Sequence, residues 1–203
     1  MKKDTIITIS RQYGSGGREI AKKLAEALSV PFYDNEIIQK AAQKSGYSKE
    51  IFEQADLKPT GSFLYTMSMF SSNAIGFDLP LSDKVFLVQS NIIKEVATQG
   101  CCVIVGRCAD YVLKENQNTV NIYIHSSLDM RIERATTLYN LPTDKAKDII
   151  IRNDKRRATY YNYYTNLKWG NANNYDLCIN SGTIGIDKAV DAIKRFIDLC
   201  EKA

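Results

Sequence analysis

A glycine-rich segment near the start of the chain has the residue types that bind a phosphate. The β-branched run Thr5–Ser10 leads into Arg11-Gln-Tyr-Gly-Ser-Gly-Gly17, and a helical pattern follows directly at Arg18. Glycines let backbone N–H groups turn toward an anion, and the following helix presents the positive end of its dipole. The segment therefore predicts an anion site of the kind found in nucleotide-binding proteins. The alternative from these residues alone is a strand-to-helix turn that binds nothing.

The fixed positions of this loop differ from the usual phosphate-binding pattern, G-x-x-x-x-G-K-[ST]. In that pattern the lysine reaches the β- and γ-phosphates and the hydroxyl helps to hold Mg²⁺. Placing the second fixed glycine at Gly17 puts Gln12 at the first glycine position. Arg18 then takes the lysine position, as a planar fork rather than a compact ammonium, and Glu19 takes the hydroxyl position. Ser15 is a candidate substitute for the missing hydroxyl.

Two further polar residues follow predicted strands. Asp34 ends the short run 31–34, and Arg107 follows the apolar run 101–105 and one glycine. A carboxylate near phosphates could hold Mg²⁺ through water or accept a hydroxyl proton, although aspartate at such a junction also caps helices well. A guanidinium at the end of a buried strand suits bidentate binding of a phosphate or a base edge. The alternative for Arg107 is an ion pair with Asp110.

A long charged helix, predicted over about 141–164, carries the remaining candidate cations. Arg152 and Arg156 lie four residues apart and share one face. Aromatic residues follow closely, at Tyr160–Tyr164 and Trp169. Such a segment can clamp phosphates and stack on a base, bind RNA through cation–π and stacking contacts, or pack the helix back onto the core.

Alternating strands and helices must position these residues. The alternation predicts an α/β fold, a three-layer sandwich with a parallel five-stranded sheet and right-handed crossovers. Ligands bind beyond the carboxyl ends of such strands, where the glycine loop, Asp34 and Arg107 all fall. The predicted strands cover about 5–10, 31–34, 101–105, 120–124 and 175–180, and the predicted helices cover about 18–29, 35–44, 48–56, 83–99, 127–139, 141–164 and 186–199.

Composition narrows the classes of function. The chain has 203 residues, enough for one domain with a proper core, and its formal charge of +4 suits a small anionic substrate without itself indicating nucleic acid. Five cysteines without CxxC spacing favour buried thiols in a reducing compartment, and a single histidine argues against a zinc site. The sequence shows no run of about 18 apolar residues and no signal peptide. We therefore expect a cytoplasmic protein without a membrane partner.

Several stretches, spread over almost the whole chain, match the motifs of one known family. They are Ile7-Thr-Ile-Ser-Arg-Gln-Tyr-Gly-Ser-Gly-Gly-Arg-Glu-Ile-Ala21, Phe32-Tyr-Asp34, Val103-Ile-Val-Gly-Arg-Cys-Ala-Asp-Tyr111, and Tyr160–Thr165 with Trp169 and Tyr175-Asp-Leu177. Together they resemble the cytidylate kinase-like family, a bacterial group related to true cytidylate kinases. The resemblance implies a single P-loop nucleotide kinase domain over 1–203. It would have a core at 1–56 and 83–203, a monophosphate-binding insertion at about 57–82 and a helical lid at about 143–170.

The resemblance also implies roles for individual residues. Arg152 matches the first arginine of the lid, and Lys40 stands where cytidylate kinases have an arginine. Two carboxylates of the acceptor motif in true cytidylate kinases are replaced here by Val105 and Cys108, which leaves recognition of cytosine or ribose open. The implied donor site consists of Gly14, Ser15, Gly16, Gly17, Arg18, Glu19, Arg131 and Arg134. The implied acceptor site consists of Asp34, Asn35, Lys40 and Arg107.

The leading hypothesis is an ATP-dependent phosphotransferase that uses Mg²⁺ and acts on a nucleoside monophosphate or a similar small phosphorylated acceptor. Arg18, Asp34, Arg152 and Arg156 would be its catalytic residues, placing the phosphates and neutralising charge during transfer. A catalytically inactive nucleotide sensor is the second hypothesis. An RNA-binding module built on 152–169 is the third, and the modest net charge argues against it. Residues 57–82 could order on the acceptor or pack against a second subunit in a homo-oligomer.

Overall fold

Five parallel strands form the sheet at the centre of the fold. A computed structural model of the chain describes residues 4–34 and 80–200, and the elements are numbered here over those two ranges. The strands are β1 Ile6–Arg11, β2 Phe32–Tyr33, β3 Cys102–Val105, β4 Thr119–His125 and β5 Leu177–Asn180. Their order in the sheet is β2–β3–β1–β4–β5, and every neighbouring pair is parallel.

β1 lies at the centre of the sheet because its side chains are apolar enough to be buried on both faces. Ile7 and Ile9 point to one face and Ile6 to the other, as the two-residue period of a strand requires. Ile9 is paired with Val105 of β3 and with Ile122 of β4. This register brings the carboxyl ends of three strands to one edge of the sheet.

Helices cover both faces and complete the three-layer α/β sandwich that the sequence predicts. α1 and α7 pack on the face of Ile7 and Ile9, and α2 and α3 pack on the face of Ile6. Within the described ranges, the predicted strands and helices are found with boundaries shifted by up to two residues, whereas α3 and α6 were not predicted. The helices are α1 Gly17–Leu28, α2 Leu81–Ala97, α3 Ala109–Val112, α4 Leu128–Leu138, α5 Thr143–Thr165, α6 Ser181–Ile184 and α7 Ile186–Cys200, with a 3₁₀ turn at Ala172–Asn174.

The aromatic end of α5 packs back onto the core. Tyr164 stacks on Phe86 of α2 with 3.9 Å between ring centroids and an interplanar angle of 8°. Tyr161 is buried in the same cluster and donates a hydrogen bond to Asp110 Oδ2 at 2.7 Å. The Tyr164 hydroxyl donates to Asp83 Oδ1 at 3.2 Å. Packing onto the core is therefore the role that these two rings have here, and neither is exposed to stack on an RNA base.

Some expectations lie outside the described residues. They are the helices predicted at 35–44 and 48–56, most of the insertion at 57–82, and the candidate acceptor residues Asn35 and Lys40. Over the ranges 4–34 and 80–200, none of the helices combines the length and the apolar character needed to cross a bilayer.

Candidate active site

The turns that follow four of the strands meet at one edge of the sheet. The glycine loop 12–16 follows β1, Gly106 and Arg107 follow β3, Ser126 follows β4, and the segment 181–185 follows β5. Ligands of open parallel sheets bind at this edge, because backbone groups at the strand ends and helix N-termini point into it. The site is therefore assembled from segments far apart in the chain.

The glycine loop is held by residues at the ends of β4 and β5. Ser181 Oγ donates a hydrogen bond to the Ser15 carbonyl oxygen at 2.6 Å, and the Ser126 N–H donates to Gln12 Oε1 at 3.1 Å. Ser15 Oγ in turn donates to the Gln12 carbonyl at 2.9 Å. The hydroxyl of Ser15, the candidate metal ligand, therefore shapes the loop itself.

Two glycines of the loop have conformations that favour glycine. Gly14 and Gly16 have φ angles of 79° and 75°, in the left-handed region. A Cβ at Gly14 would also lie 2.8 Å from the carbonyl oxygen of Arg131. The N–H groups in the first turn of any helix have no carbonyl partner within the helix. In α1 the N-cap is Gly16, which has no side chain that could accept from them. The start of α1 can thus donate hydrogen bonds to an anion.

A cavity of about 170 Å³ opens on one side of the loop. Arg11, Arg107, Arg156, Arg157 and Asp34 supply its charged lining. Four guanidinium groups face one carboxylate, so the cavity favours an anion with more than one negative charge, such as a phosphate. We call it the arginine cavity.

A second cavity, of about 300 Å³, opens on the other side of the loop. Its lining combines loop backbone, Arg134 and Glu133 with apolar side chains, a mixture that suits the phosphate and the base of a nucleotide. It includes the segment after β5, which was not predicted as part of a site. The cluster of serine and glycine after that strand was the signal in the sequence that could have identified it. The residues that decide its character are Gly14, Ser15, Arg134, Met130, Leu138 and Ile186.

Arg18 and Asp34 form an ion pair beside the arginine cavity. Arg18 Nε lies 2.5 Å from Asp34 Oδ2, and the Arg18 side chain is 63% exposed. Arg11 Nη2 lies 3.8 Å from the other oxygen, Oδ1. Arg18 was predicted to bind the β- and γ-phosphates, but its guanidinium binds Asp34 here and lines neither cavity.

The two candidate arginines of α4 bind carboxylates next to the loop. Arg134 pairs with Glu19, the residue at the predicted hydroxyl position. Arg131 Nη1 lies 2.5 Å from Asp154 Oδ2 and donates to the Tyr13 carbonyl at 3.3 Å. Both Nε atoms are buried without a hydrogen-bond partner among the described residues. Because both atoms lie below the surface, neither can reach a ligand in this conformation.

Helix α5 contacts the loop through one of its central turns. Arg157 Nη1 donates to the Arg11 carbonyl at 2.9 Å, and Arg157 and Arg156 both line the arginine cavity. Arg152, predicted as the first arginine of the lid, is exposed and lines neither cavity. The structure therefore brings Arg156 to the candidate site, adds Arg157, which was not predicted, and leaves Arg152 outside.

The turn after β3 supplies Arg107 and two uncharged residues. Arg107 has a φ of 57° and hydrogen-bonds the Tyr160 hydroxyl. Val105 and Cys108 line the same cavity, and burial raises the pKa of the Cys108 thiol well above its usual value. Both residues are therefore uncharged where true cytidylate kinases have carboxylates, and the turn presents one cation to a ligand.

Arg11 is a candidate ligand that was not predicted from the sequence. It is the last residue of β1, and its side chain is 20% exposed. Burial, reinforced by the charge of Arg157, lowers the pKa of Arg11 to about 9. Its position at the carboxyl end of the central strand was the signal available in the sequence. An anion in the arginine cavity would stabilise this charge.

The residues at the loop fit a metal ion only as part of a nucleotide complex. The ranges 4–34 and 80–200 contain no cluster of three or more side chains suited to holding a metal. Mg²⁺ in phosphate-transfer sites is usually held by one or two carboxylates, waters and the phosphates themselves. Asp34, Glu19 and Asp154, all paired with arginines here, are carboxylates beside the loop that could supply a ligand.

The strand order and the loop between β1 and α1 are those of the P-loop kinase fold, and this fold defines the class of the protein. Shikimate kinase from Bacteroides thetaiotaomicron superposes with a TM-score of 0.53 and 15% identity, covering 96% of this chain and 98% of that one. A gluconokinase from Sinorhizobium meliloti superposes with a TM-score of 0.51 and 12% identity, covering 98% and 96%. These likenesses concern the fold alone. A protein of known crystal structure from Eubacterium ventriosum reaches 0.73 with 28% identity, covering 96% and 98%.

The sequence places the chain more narrowly within that class. The model of the cytidylate kinase-like family matches residues 6–183, and the chain belongs to this family of nucleotide kinases. The cytidylate kinase of Staphylothermus marinus is 24% identical over 195 residues, 95% of this chain and 96% of that protein. A cytidylate kinase of Saccharolobus islandicus is also 24% identical, over 96% of this chain and 91% of its own length.

Proposed function

We propose that this protein is an ATP-dependent phosphotransferase that transfers the γ-phosphoryl group to a small phosphorylated acceptor, in the first instance a nucleoside monophosphate. One observation carries the proposal. The glycine loop contributes Gly14 and Ser15 to a partly apolar cavity, and Arg11, next to the loop, lines a second cavity together with three other arginines. A donor nucleotide in the former and an acceptor phosphate in the latter would meet at the loop.

The side chains at the loop suit the electrostatic requirements of phosphoryl transfer. That reaction needs placement of two phosphates and neutralisation of charge more than covalent chemistry from the protein. The loop amides and Arg134, which lines the partly apolar cavity, would bind the donor phosphates, and Arg131 would position the loop through the Tyr13 carbonyl. Arg107, Arg156 and Arg157 would bind the acceptor phosphate.

The remaining candidates have more limited roles in the proposal. Asp34 would orient the acceptor or take part in holding Mg²⁺ that arrives with ATP, and its ion pair would make Arg18 a positioning residue. Asn35 and Lys40 are proposed acceptor ligands on the resemblance alone. Arg152, on the exposed side of α5, is not required.

The acceptor is proposed as a chemical class and not as one compound. The relatives named cytidylate kinases make CMP the first acceptor to test. The uncharged Val105 and Cys108, however, remove two carboxylates that a cytidine acceptor would meet in true cytidylate kinases. A different base, or a phosphorylated acceptor without a base, fits this lining equally well.

A coupled assay of ADP formation tests the proposal. ATP or GTP with Mg²⁺ is combined with each common nucleoside monophosphate and with a set of sugar phosphates. Arg107→Lys keeps a cation and the backbone conformation but loses the bidentate fork. We expect it to raise the KM of the acceptor about ten-fold or more, with a nearly unchanged KM for ATP. Arg195→Lys, on the exposed side of α7, is the matched control and should change neither value.

The same proteins distinguish the proposal from the nucleotide sensor. A ligand that binds the folded state raises the melting temperature in proportion to the logarithm of its concentration over Kd. Stabilisation by ATP without ADP formation for any acceptor would support the sensor. Absence of both stabilisation and turnover would show the proposal to be wrong.

A further inference from the structure

The structure gives the loop a different register from the one that its sequence first suggests. Gly16 is the N-cap of α1, and Gly17 is the first residue of the helix. If Gly16 is the second fixed glycine of G-x-x-x-x-G-K, then position 11 is the first fixed glycine and position 17 is the lysine. This chain has arginine at 11 and glycine at 17. Relative to the usual pattern, the cation and the glycine have changed places.

The exchange has a steric reason. A Cβ on Gly17 would lie 2.5 Å from Cβ and 3.0 Å from Cγ of Arg11. Gly17 does not have a left-handed φ, so its backbone would accept a side chain. The stem of Arg11 therefore occupies the space into which a side chain at 17 would grow. Ile124 Cβ, 3.1 Å from the same Cβ position, restricts that space further, so a lysine at 17 would require a small shift there even with glycine at 11.

The Arg11 guanidinium lies between the loop and the acceptor side of the site. A Cβ on Gly106, in the turn after β3, would collide with Arg11 Nη1. On another side, Arg11 Nη2 is 3.8 Å from Asp34 Oδ1. The side chain thus starts beside the first residue of α1 and ends in the lining of the arginine cavity. A phosphoryl group passing from the loop to that cavity would pass this guanidinium.

Arg18, the other candidate for the lysine's role, has different surroundings. Its Nε donates to Asp34 at 2.5 Å, and 63% of its side chain is exposed. Arg11 is largely withdrawn from water, with 20% exposure, as are Arg131 and Arg134 of α4, but of these three Arg11 is the one that lines the arginine cavity. A desolvated cation interacts more strongly with a phosphate than an exposed one does.

We propose that Arg11, and not Arg18, is the cation that binds the transferred phosphoryl group, and that Gly17 is a glycine because Arg11 has taken the place of the lysine. The claim rests on the proposed function, since it assigns a residue of the same site. It also predicts that positions 11 and 17 can exchange their cation and their glycine only when both are changed together.

Four variants test the exchange. Arg11→Met and Arg18→Met remove the two candidate cations and keep unbranched stems. Gly17→Lys alone would force a side chain against Arg11, whereas Arg11→Gly with Gly17→Lys would restore the usual pattern without that collision. Arg195→Met is the control for loss of an arginine elsewhere. Melting temperatures identify any variant that fails to fold.

The readouts are kcat/KM for ATP and the Kd for inorganic tripolyphosphate, measured by titration calorimetry. We expect Arg11→Met to lose about 100-fold in kcat/KM and Arg18→Met to lose no more than about five-fold. The double variant should have a kcat/KM at least about ten-fold higher than that of Arg11→Met. Gly17→Lys alone should have a kcat/KM no higher than that of Arg11→Met. A larger loss for Arg18→Met than for Arg11→Met would overturn the assignment.

The two readouts separate failure of this inference from failure of the proposed function. If the wild type forms no ADP with any acceptor but binds tripolyphosphate, the function is wrong. Loss of that affinity in Arg11→Met and not in Arg18→Met would then still support the role of Arg11. If the wild type forms ADP and Arg11→Met keeps both turnover and affinity, the inference alone is wrong. Absence of turnover and of tripolyphosphate binding in the wild type would reject both.

Discussion

Replacing Arg11 with methionine removes the guanidinium between the loop and the arginine cavity and leaves an unbranched stem beside Gly17. In the native protein this guanidinium is buried and lies near Arg157, Arg107 and Arg18, with Asp34 as the neighbouring carboxylate. Its charged form is therefore less stable in the fold than in water. We expect Arg11→Met to be more stable than the wild type in the absence of anions, although it should be less active.

The size of the effect follows from the pKa of Arg11, which burial lowers to about 9. At about 1.4 kcal/mol per unit, the upper bound is roughly 5 kcal/mol. Losing the attraction to Asp34 and the polar contacts of the guanidinium offsets part of this. We therefore expect a gain of about 1–2 kcal/mol in the free energy of unfolding, or about 4 °C in melting temperature for a chain of this length.

The sign with pH follows from the same shift. A base whose pKa is lowered by folding destabilises the native state while it stays charged, which is the case below about 9. As the pH rises through that value, the folded protein releases the proton more readily than the unfolded chain. The advantage of the variant should therefore be full near neutral pH and shrink above about 9.

Urea unfolding in a buffer free of phosphate and sulfate measures this difference. Added inorganic phosphate should then stabilise the wild type and the control Arg195→Met more than it stabilises Arg11→Met, which keeps the other three arginines of the cavity. The reasoning is refuted if Arg11→Met is less stable than the wild type without anions. It is equally refuted if phosphate stabilises both proteins to the same extent.

Three further substitutions test other parts of the structure. Asp110→Asn keeps an acceptor for the Tyr161 hydroxyl but removes a carboxyl group whose pKa is raised by burial. It should add about 1 kcal/mol to the free energy of unfolding at neutral pH and nothing below about pH 4. Unfolding measured as a function of pH checks this. At Gly16 the φ angle is 75°, and an added Cβ would collide with Ile186. Gly16→Ala should therefore lower the free energy of unfolding by about 1–2 kcal/mol and abolish the thermal shift with ATP. Phe86→Ala should cost about 3–5 kcal/mol, seen as a lower urea midpoint with an unchanged slope.

The elements and the location of the site could be predicted because both follow from local patterns. A β-branched run, a glycine cluster and an apolar period of 3.6 residues identify β1, the loop and α1 without reference to distant residues. Parallel strands bring their carboxyl ends to one edge, so the convergence of the loop, Asp34 and Arg107 also follows from the order of the elements. The fold class was predicted correctly on this basis, and the family was predicted correctly from the resemblance of its motifs.

The partners of the charged side chains could not be predicted from the sequence. Arg157 and the carbonyl of Arg11 are 146 positions apart, and their contact exists only because α5 packs across the loop. Arg152 and Arg156 share one face of α5 but lie about 6 Å apart along its axis, so the placement of the helix along that axis decides which of them reaches the cavity. Packing of the aromatic end of α5 against Phe86 helps to set that placement.

By itself the sequence determined that this chain forms a parallel α/β sheet with a glycine-rich turn after its first strand, because such patterns depend on neighbours in the chain. Only the tertiary structure decided which cations stand at that turn. It paired Arg18 with Asp34 and laid the stem of Arg11 across Gly17. The reason is physical: charged groups can rearrange among several partners of similar energy, and the choice depends on distances and burial that exist only after the elements have packed.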